Sequence, residues 1–210
     1  MKLLREYIRE LIKEEAESAV PKNQREMMAV GDPRREAVQQ EILIPPPPSE
    51  SERVQELDQI QRQYNNRFNE ETDQDLLNHV TKTFDTVLVS SGKESHYSLI
   101  NDLKFEILPI IDFHKAYFNI ERPYVLASRQ GIDFKSDFLK SAQTPSYPSG
   151  HTAQAYYIAD KLSRMYPEMR SKLLDTANMI SQARIDRGVH FPSDIKGGIL
   201  LAKKILEKRQ

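Results

Sequence analysis

A chain of 210 residues with 39% apolar residues and a mean hydropathy of −0.63 has material for one sizeable core rather than two. Its formal charge of −1, from 30 basic and 31 acidic residues, points to no nucleic-acid partner. The lack of any cysteine excludes disulfides, thiolate nucleophiles and cysteine-based zinc sites, and no window approaches the roughly 18 consecutive apolar residues that a membrane-spanning helix needs.

In chain order, the opening twenty residues carry charges every three or four positions and lack the apolar core and cleavage site of a signal peptide. Leu3, Leu4, Tyr7, Ile8, Leu11 and Ile12 share one face of a helix, with Arg5, Glu6, Arg9, Glu10 and Lys13 opposite. Such a mixed-charge amphipathic helix is expected to pack on its own domain or on a sister subunit in a homodimer; a membrane-surface anchor is more strongly basic. Residues 17–41 are polar and hold the turn signal Gly31-Asp32-Pro33. Pro45–Pro48 must be extended, which reads as a stiff spacer between an N-terminal appendage, 1–41, and a domain, 42–210; Ser49 or Ser51 caps the helix that follows.

Residues 71–89 read as a helix ended by the serines and Gly92. Over 97–120, Leu99, Leu103, Ile107, Ile110, Ile111 and Phe118 recur at helical spacing, and Pro109 should kink or divide the element. Helical patterns return at 151–166, 168–188 and 194–208, strand signals are weak and no repeat occurs. The expectation is an all-α domain, a compact multi-helix bundle with short connections.

Three stretches carry chemistry. "HKAYFNIERPY" sets Lys115 and Arg122 six residues apart, which brings both to one side only if a helix ends between them and the chain turns. Pro123 favours that turn by restricting Arg122. "YPSGHTAQ" places Pro148, Ser149, Gly150 and His151 at a helix start, and "ARIDRGVHFPSD" sets Arg184 six residues before His190 and Asp194 four after it. At that spacing Asp194 can accept a hydrogen bond from one ring nitrogen of His190, leaving the other as nucleophile or base and stabilising positive charge on the ring. Pro192 implies a turn into the next helix, which Ser193 could cap, and Gly188 suggests a close backbone approach. Taken singly, each stretch is equally a solvated charge pair, a capped helix or a satisfied structural histidine.

Jointly, Lys-x6-Arg-Pro, Pro-Ser-Gly-His and Arg-x5-His-x3-Asp resemble the signature of the type 2 phosphatidic acid phosphatase superfamily, which includes bacterial class A acid phosphatases and vanadium-dependent haloperoxidases. One departure is Ala183, where the third motif usually starts with serine. The likeness spans about residues 42–208, because the proline run and the acidic, tyrosine-containing helix after it look like the region near the mature N-terminus of the class A enzymes. That favours the soluble branch over the integral-membrane lipid phosphatases.

The resemblance implies a phosphohistidine mechanism without metal or other cofactor. His190 would attack phosphorus, Asp194 would hold it and stabilise the imidazolium, and His151 would protonate the leaving oxygen and then activate water. Lys115, Arg122 and Arg184 would balance phosphoryl charge, and Ser149 with the Gly150 amide would complete the cradle at a helix N-terminus. His79, His96 and His114 match no motif, although His114 could line the cleft beside Lys115; Tyr147 and Tyr124 read as packing or rim residues. The expected function is hydrolysis of small phosphate monoesters. One alternative is a vanadate-dependent haloperoxidase, whose relatives carry large insertions where this chain has only 24 residues between Pro123 and Pro148. Another is a structural module, in which clustered like charges would cost stability without an anion. A cytoplasmic location is expected, and the opening "MKLLREYIREL" looks like leader stretches of phage-encoded proteins.

Overall fold

The computed structural model of the chain describes residues 42–64, 79–137, 139 and 142–209. The amphipathic helix expected within residues 3–12 lies outside them, as do residues 71–78 of the helix expected at 71–89. All regular elements among the described residues are helical: α1 Glu50–Gln63, α2 Val80–Ser90, α3 Tyr97–Glu106, α4 Leu108–Phe118, α5 Pro123–Arg129, α6 Gly150–Met165, α7 Arg170–Asp186 and α8 Pro192–Lys208. A 3-10 turn, Pro167–Met169, leads into α7.

Punctuation residues set these boundaries. Ser49, not Ser51, is the N-cap of α1, and its backbone N–H donates to Glu52 Oε2 at 2.8 Å, half of a capping box. The expected division at Pro109 occurs at Ile107, which ends α3 and caps α4; Pro109 then sits in the first turn of α4, where its missing N–H has no acceptor to lose.

Helix α6 is the centre of the molecule, flanked along its length by α7 and α8. One face buries Ala155, Ile158, Ala159 and Leu162 against Phe84, Leu88, Ile100, Leu173, Ala177 and Ile180. The other buries Ala153 and Tyr157 against Ile107, Ile111, Leu201 and Ile205. Its alanines keep the helix thin enough for neighbours on both sides. A third cluster docks α1, through Leu57 and Ile60, onto Leu126, Ala127, Ile185 and Phe191.

The proline run is not a free spacer. Ile42 and Ile44 are buried in the cluster around Tyr147 and Leu201, and the Tyr147 hydroxyl donates to the Pro45 carbonyl at 2.8 Å. Burying two isoleucines contributes about 1.5–3 kcal/mol each, so residues 42–48 form a strap held on the helices.

Candidate active site

Local chain breaks assemble the site. α4 ends at Phe118 because Asn119 takes the left-handed conformation, φ 44°, and donates its N–H to the Lys115 carbonyl at 2.9 Å. Pro123 opens α5, leaving Arg122 extended as its N-cap, so the six-residue spacing spans a helix end and a turn as the sequence requires. Ser149 caps α6: its hydroxyl oxygen accepts from the Thr152 N–H at 3.4 Å and the Thr152 hydroxyl at 2.9 Å. Its own N–H donates to the Asp194 backbone carbonyl at 3.0 Å, fastening the start of α6 to the start of α8.

Arg184 lies in the last turn of α7, and Gly188, φ 68°, turns the chain toward His190. A Cβ at Gly188 would fall 2.6 Å from the Lys135 carbonyl oxygen, which is the close backbone approach expected there. Ser193 does not cap α8. Asp194 does, three residues into the helix, by accepting the Phe191 N–H at 2.9 Å. Ser193 instead donates its hydroxyl and its N–H to Glu56 of α1, at 2.7 and 3.1 Å.

One carboxylate oxygen organises the centre. Asp194 Oδ2 accepts from His190 Nδ1 at 2.8 Å, from Ser146 Oγ at 2.5 Å and from the Phe191 amide. With Nδ1 donating, His190 Nε2 carries its lone pair, and it accepts from Arg122 Nη1 at 3.0 Å. The same guanidinium donates to the Val189 carbonyl at 2.8 Å and to the Thr144 carbonyl at 2.7 Å. Lys115 Nζ donates to the Pro145 carbonyl. Lys115, Arg122, Arg184, Ser149, His190 and Asp194 are all buried; Gly150 and His151 are half-exposed at the mouth.

Burial dominates the electrostatics. It pulls Lys115 down to about 7, helped by the Arg122 charge and opposed by Asp194. Arg122 falls to about 10 by burial, and Arg184 to about 9 by burial with Arg122 and Arg187 beside it. His190 is held well below its usual value by burial and then by Arg122, Lys115, Arg184 and His151, so its ring is neutral and its Nε2 lone pair available. Burial raises Asp194 to about 6 against the hydrogen bonds from Ser146 and Phe191. Three buried cations gather here: Lys115 and Arg122 interact with Asp194, Lys115 also with Asp112, and Arg184 with Asp137. Such a set suits a dianionic tetrahedral group more than a neutral one.

The structure thus joins His190, Asp194 and Arg122 by hydrogen bonds, with Lys115, Arg184 and His151 near enough to shift the histidine. Gly150 is fixed by packing: a Cβ there would lie 3.2 Å from Ile111 Cγ2 and 3.7 Å from Lys115 Cε. His114 does not line the cleft; it is buried in α4 with Nδ1 against the Ile110 carbonyl at 2.7 Å. Tyr147 packs edge-on to Phe118 with centroids 5.1 Å apart, and Tyr124 sits at the rim. Ser146, Thr144 and Glu56 escaped the sequence reading. Ser146 adjoins the second motif, but nothing in the sequence pairs it with a carboxylate 48 residues away.

Comparison with known proteins gives matches over the same part of the chain. Residues 105–205 match the model of the PAP2 superfamily, a span that contains all three motif stretches. An acid phosphatase of Zymomonas mobilis is 31% identical over 88 residues, 42% of this chain and 33% of that protein. Non-specific acid phosphatases of Providencia stuartii and Salmonella typhi are 36% identical over 63 residues and 33% over 84, covering 30% and 40% of this chain and 25% and 33% of theirs. The matched segments therefore span a third or less of these relatives. Among solved structures, a transmembrane PAP2 type phosphatidylglycerolphosphate phosphatase from Bacillus subtilis aligns over 99% of this chain and 96% of its own, at 19% identity and a TM-score of 0.38. The likeness to the PAP2 superfamily thus rests on residues 105–205, just under half of the chain, with the motif residues of all three stretches inside that span.

Proposed function

We propose that this chain hydrolyses small phosphate monoesters through a phosphohistidine on His190, with side-chain cations in place of a metal. The observation that carries the reading is His190 held between Asp194 at Nδ1 and Arg122 at Nε2, in a buried setting with two further cations. The acid phosphatase names of the relatives support the same reaction class.

In the first step Arg122 Nη1 exchanges Nε2 for a phosphoryl oxygen. The freed lone pair forms the N–P bond in line as the P–O ester bond breaks. His151, half-exposed on the first turn of α6, gives its proton to the departing oxygen. Asp194 accepts a stronger hydrogen bond as the ring becomes cationic. In the second step His151 takes a proton from water, the water oxygen bonds phosphorus, the N–P bond breaks, and inorganic phosphate leaves with His190 neutral again. Lys115, Arg122 and Arg184 hold the equatorial oxygens throughout, where buried donors act most strongly on developing charge.

Hydrolysis of para-nitrophenyl phosphate tests the proposal. Turnover is expected to survive EDTA, to be inhibited by vanadate as a mimic of the five-coordinate transition state, and to fall by at least about 10³-fold in His190→Ala. His151→Ala should lose less, about 10²-fold, since this leaving group needs little protonation. Reversible loss in EDTA, or full turnover in His190→Ala, would overturn the mechanism.

A further inference from the structure

A cleft of about 490 Å³ opens beside His151, away from the buried cations. Its wall is made by the first turn of α2, both ends of α3 and the first turn of α6. Among the described residues its titratable lining groups are His79, Lys82, Tyr97, Lys104 and His151, and none of these is a carboxylate.

Three observations agree on what this wall favours. Lys104 is half-buried with its amine 4.5 Å from the centre of the Phe105 ring, burial lowers its pKa, and it pairs with no carboxylate among the described residues. Thr81 is 4% exposed and lines the cleft, yet its hydroxyl has no hydrogen-bond partner among the described residues. α2 begins on this wall with no acidic residue in its first turn and no side-chain cap from His79, so the N–H groups of Val80, Thr81 and Lys82 have no intrahelical acceptor. Among the described residues, an ammonium, a buried hydroxyl and a helix N-terminus with no acid in its first turn all favour the same partner, an oxyanion.

We infer that the cleft receives the leaving part of the substrate and selects esters whose leaving group carries a second anionic group, a carboxylate or a further phosphate, held by Lys104, Thr81 and the start of α2. The inference rests on the assignment of His151 as the acid for the leaving oxygen, because that places the departing group on the cleft side. Phe105 and Tyr97 supply apolar surface for the body of the group between its two charges. Lys82, exposed at the rim, adds attraction before contact.

The test compares meta-carboxyphenyl phosphate with meta-carbamoylphenyl phosphate, which match in shape and differ in charge. The full chain should favour the carboxylate by about tenfold in kcat/KM, the scale of one charge-assisted hydrogen bond. Lys104→Gln should collapse that ratio to within about twofold of unity and Lys104→Arg should restore it. A merely structural Lys104 would lower both substrates together and leave the ratio intact, which would overturn the assignment, as would equal kcat/KM in the unaltered chain. Calorimetric binding of both esters to His190→Ala separates the two readings. Preference for the carboxylate without turnover in the unaltered chain would sink the phosphatase mechanism and keep the subsite; equal binding would sink the subsite whatever the turnover.

Discussion

Asp194 does its work through a single oxygen. Oδ2 takes three donors, while Oδ1 is buried with no hydrogen-bond partner among the described residues. The pairing with His190 was legible because four residues with an intervening proline return a side chain to the histidine that precedes the helix. The Ser146 contribution was not, because serine in a loop pairs with anything the fold brings to it. Its hydroxyl lowers the Asp194 pKa, against burial, which raises it to about 6. Ser146→Ala should therefore let Asp194 protonate at higher pH and move the acid limb of kcat/KM upward, while activity on the alkaline side falls little. A simple loss of packing would lower the whole profile without moving the limb. An unmoved limb would mean that Asp194 ionisation does not control the acid side.

At the scale of elements, prolines and turn residues announced most of the architecture. Pro109, Pro123 and Pro192 each stand in the first turn of a helix, where fixed φ and no N–H are harmless, so boundaries near them were readable to a residue or two. The strap at 42–48 was misread because a polyproline spacer and a docked strap share one composition; the alternation of Ile42 and Ile44 was the neglected signal. Gly197-Gly198 was silent too. Two glycines inside a helix cost about 1 kcal/mol each in propensity, and the reason lies in packing across sequence. A Cβ at Gly198 would fall 2.6 Å from the Ser149 carbonyl oxygen, and one at Gly197 would strike the Tyr147 ring. Gly198→Ala should destabilise by about 1–3 kcal/mol in denaturant despite the better helix former, and should raise KM because the obstructing group is the backbone that caps α6. Gly92→Ala is the control: φ is 76° but nothing lies within 4 Å, so it should cost only about 1 kcal/mol of backbone strain and leave KM alone. A neutral Gly198→Ala would deny the close approach of α8 to the site.

Across the whole molecule, the all-α class followed from helical periodicities, but the burial of Lys115 did not, since a lysine near a helix end reads as solvated until the neighbouring helices are in place. That burial couples the site to global stability. The native pKa of Lys115 is drawn from 10.5 to about 7, so between those values the folded chain binds fewer protons than the unfolded one. Stability from this group is therefore lowest below pH 7 and grows as pH rises toward 10.5. Lys104, lowered by burial, has the same sign. Asp194 has the opposite one: raised from 3.8 to about 6, it contributes stability at low pH that is lost as pH climbs through 6, and above that it is constant. An oxyanion beside Lys115 favours its charged form and should cancel the penalty that the bare lysine imposes near pH 7. Sulfate keeps a fixed charge over this range, so its stabilisation of the fold, RT ln(1 + [L]/Kd), should be largest near pH 7 and shrink toward pH 9. Melting curves with and without sulfate across that range measure the shrinkage directly. In Lys115→Met the sulfate effect should be smaller and nearly flat with pH; a wild-type effect equally flat would mean that Lys115 stays charged in the folded chain and that the anion meets only the two arginines.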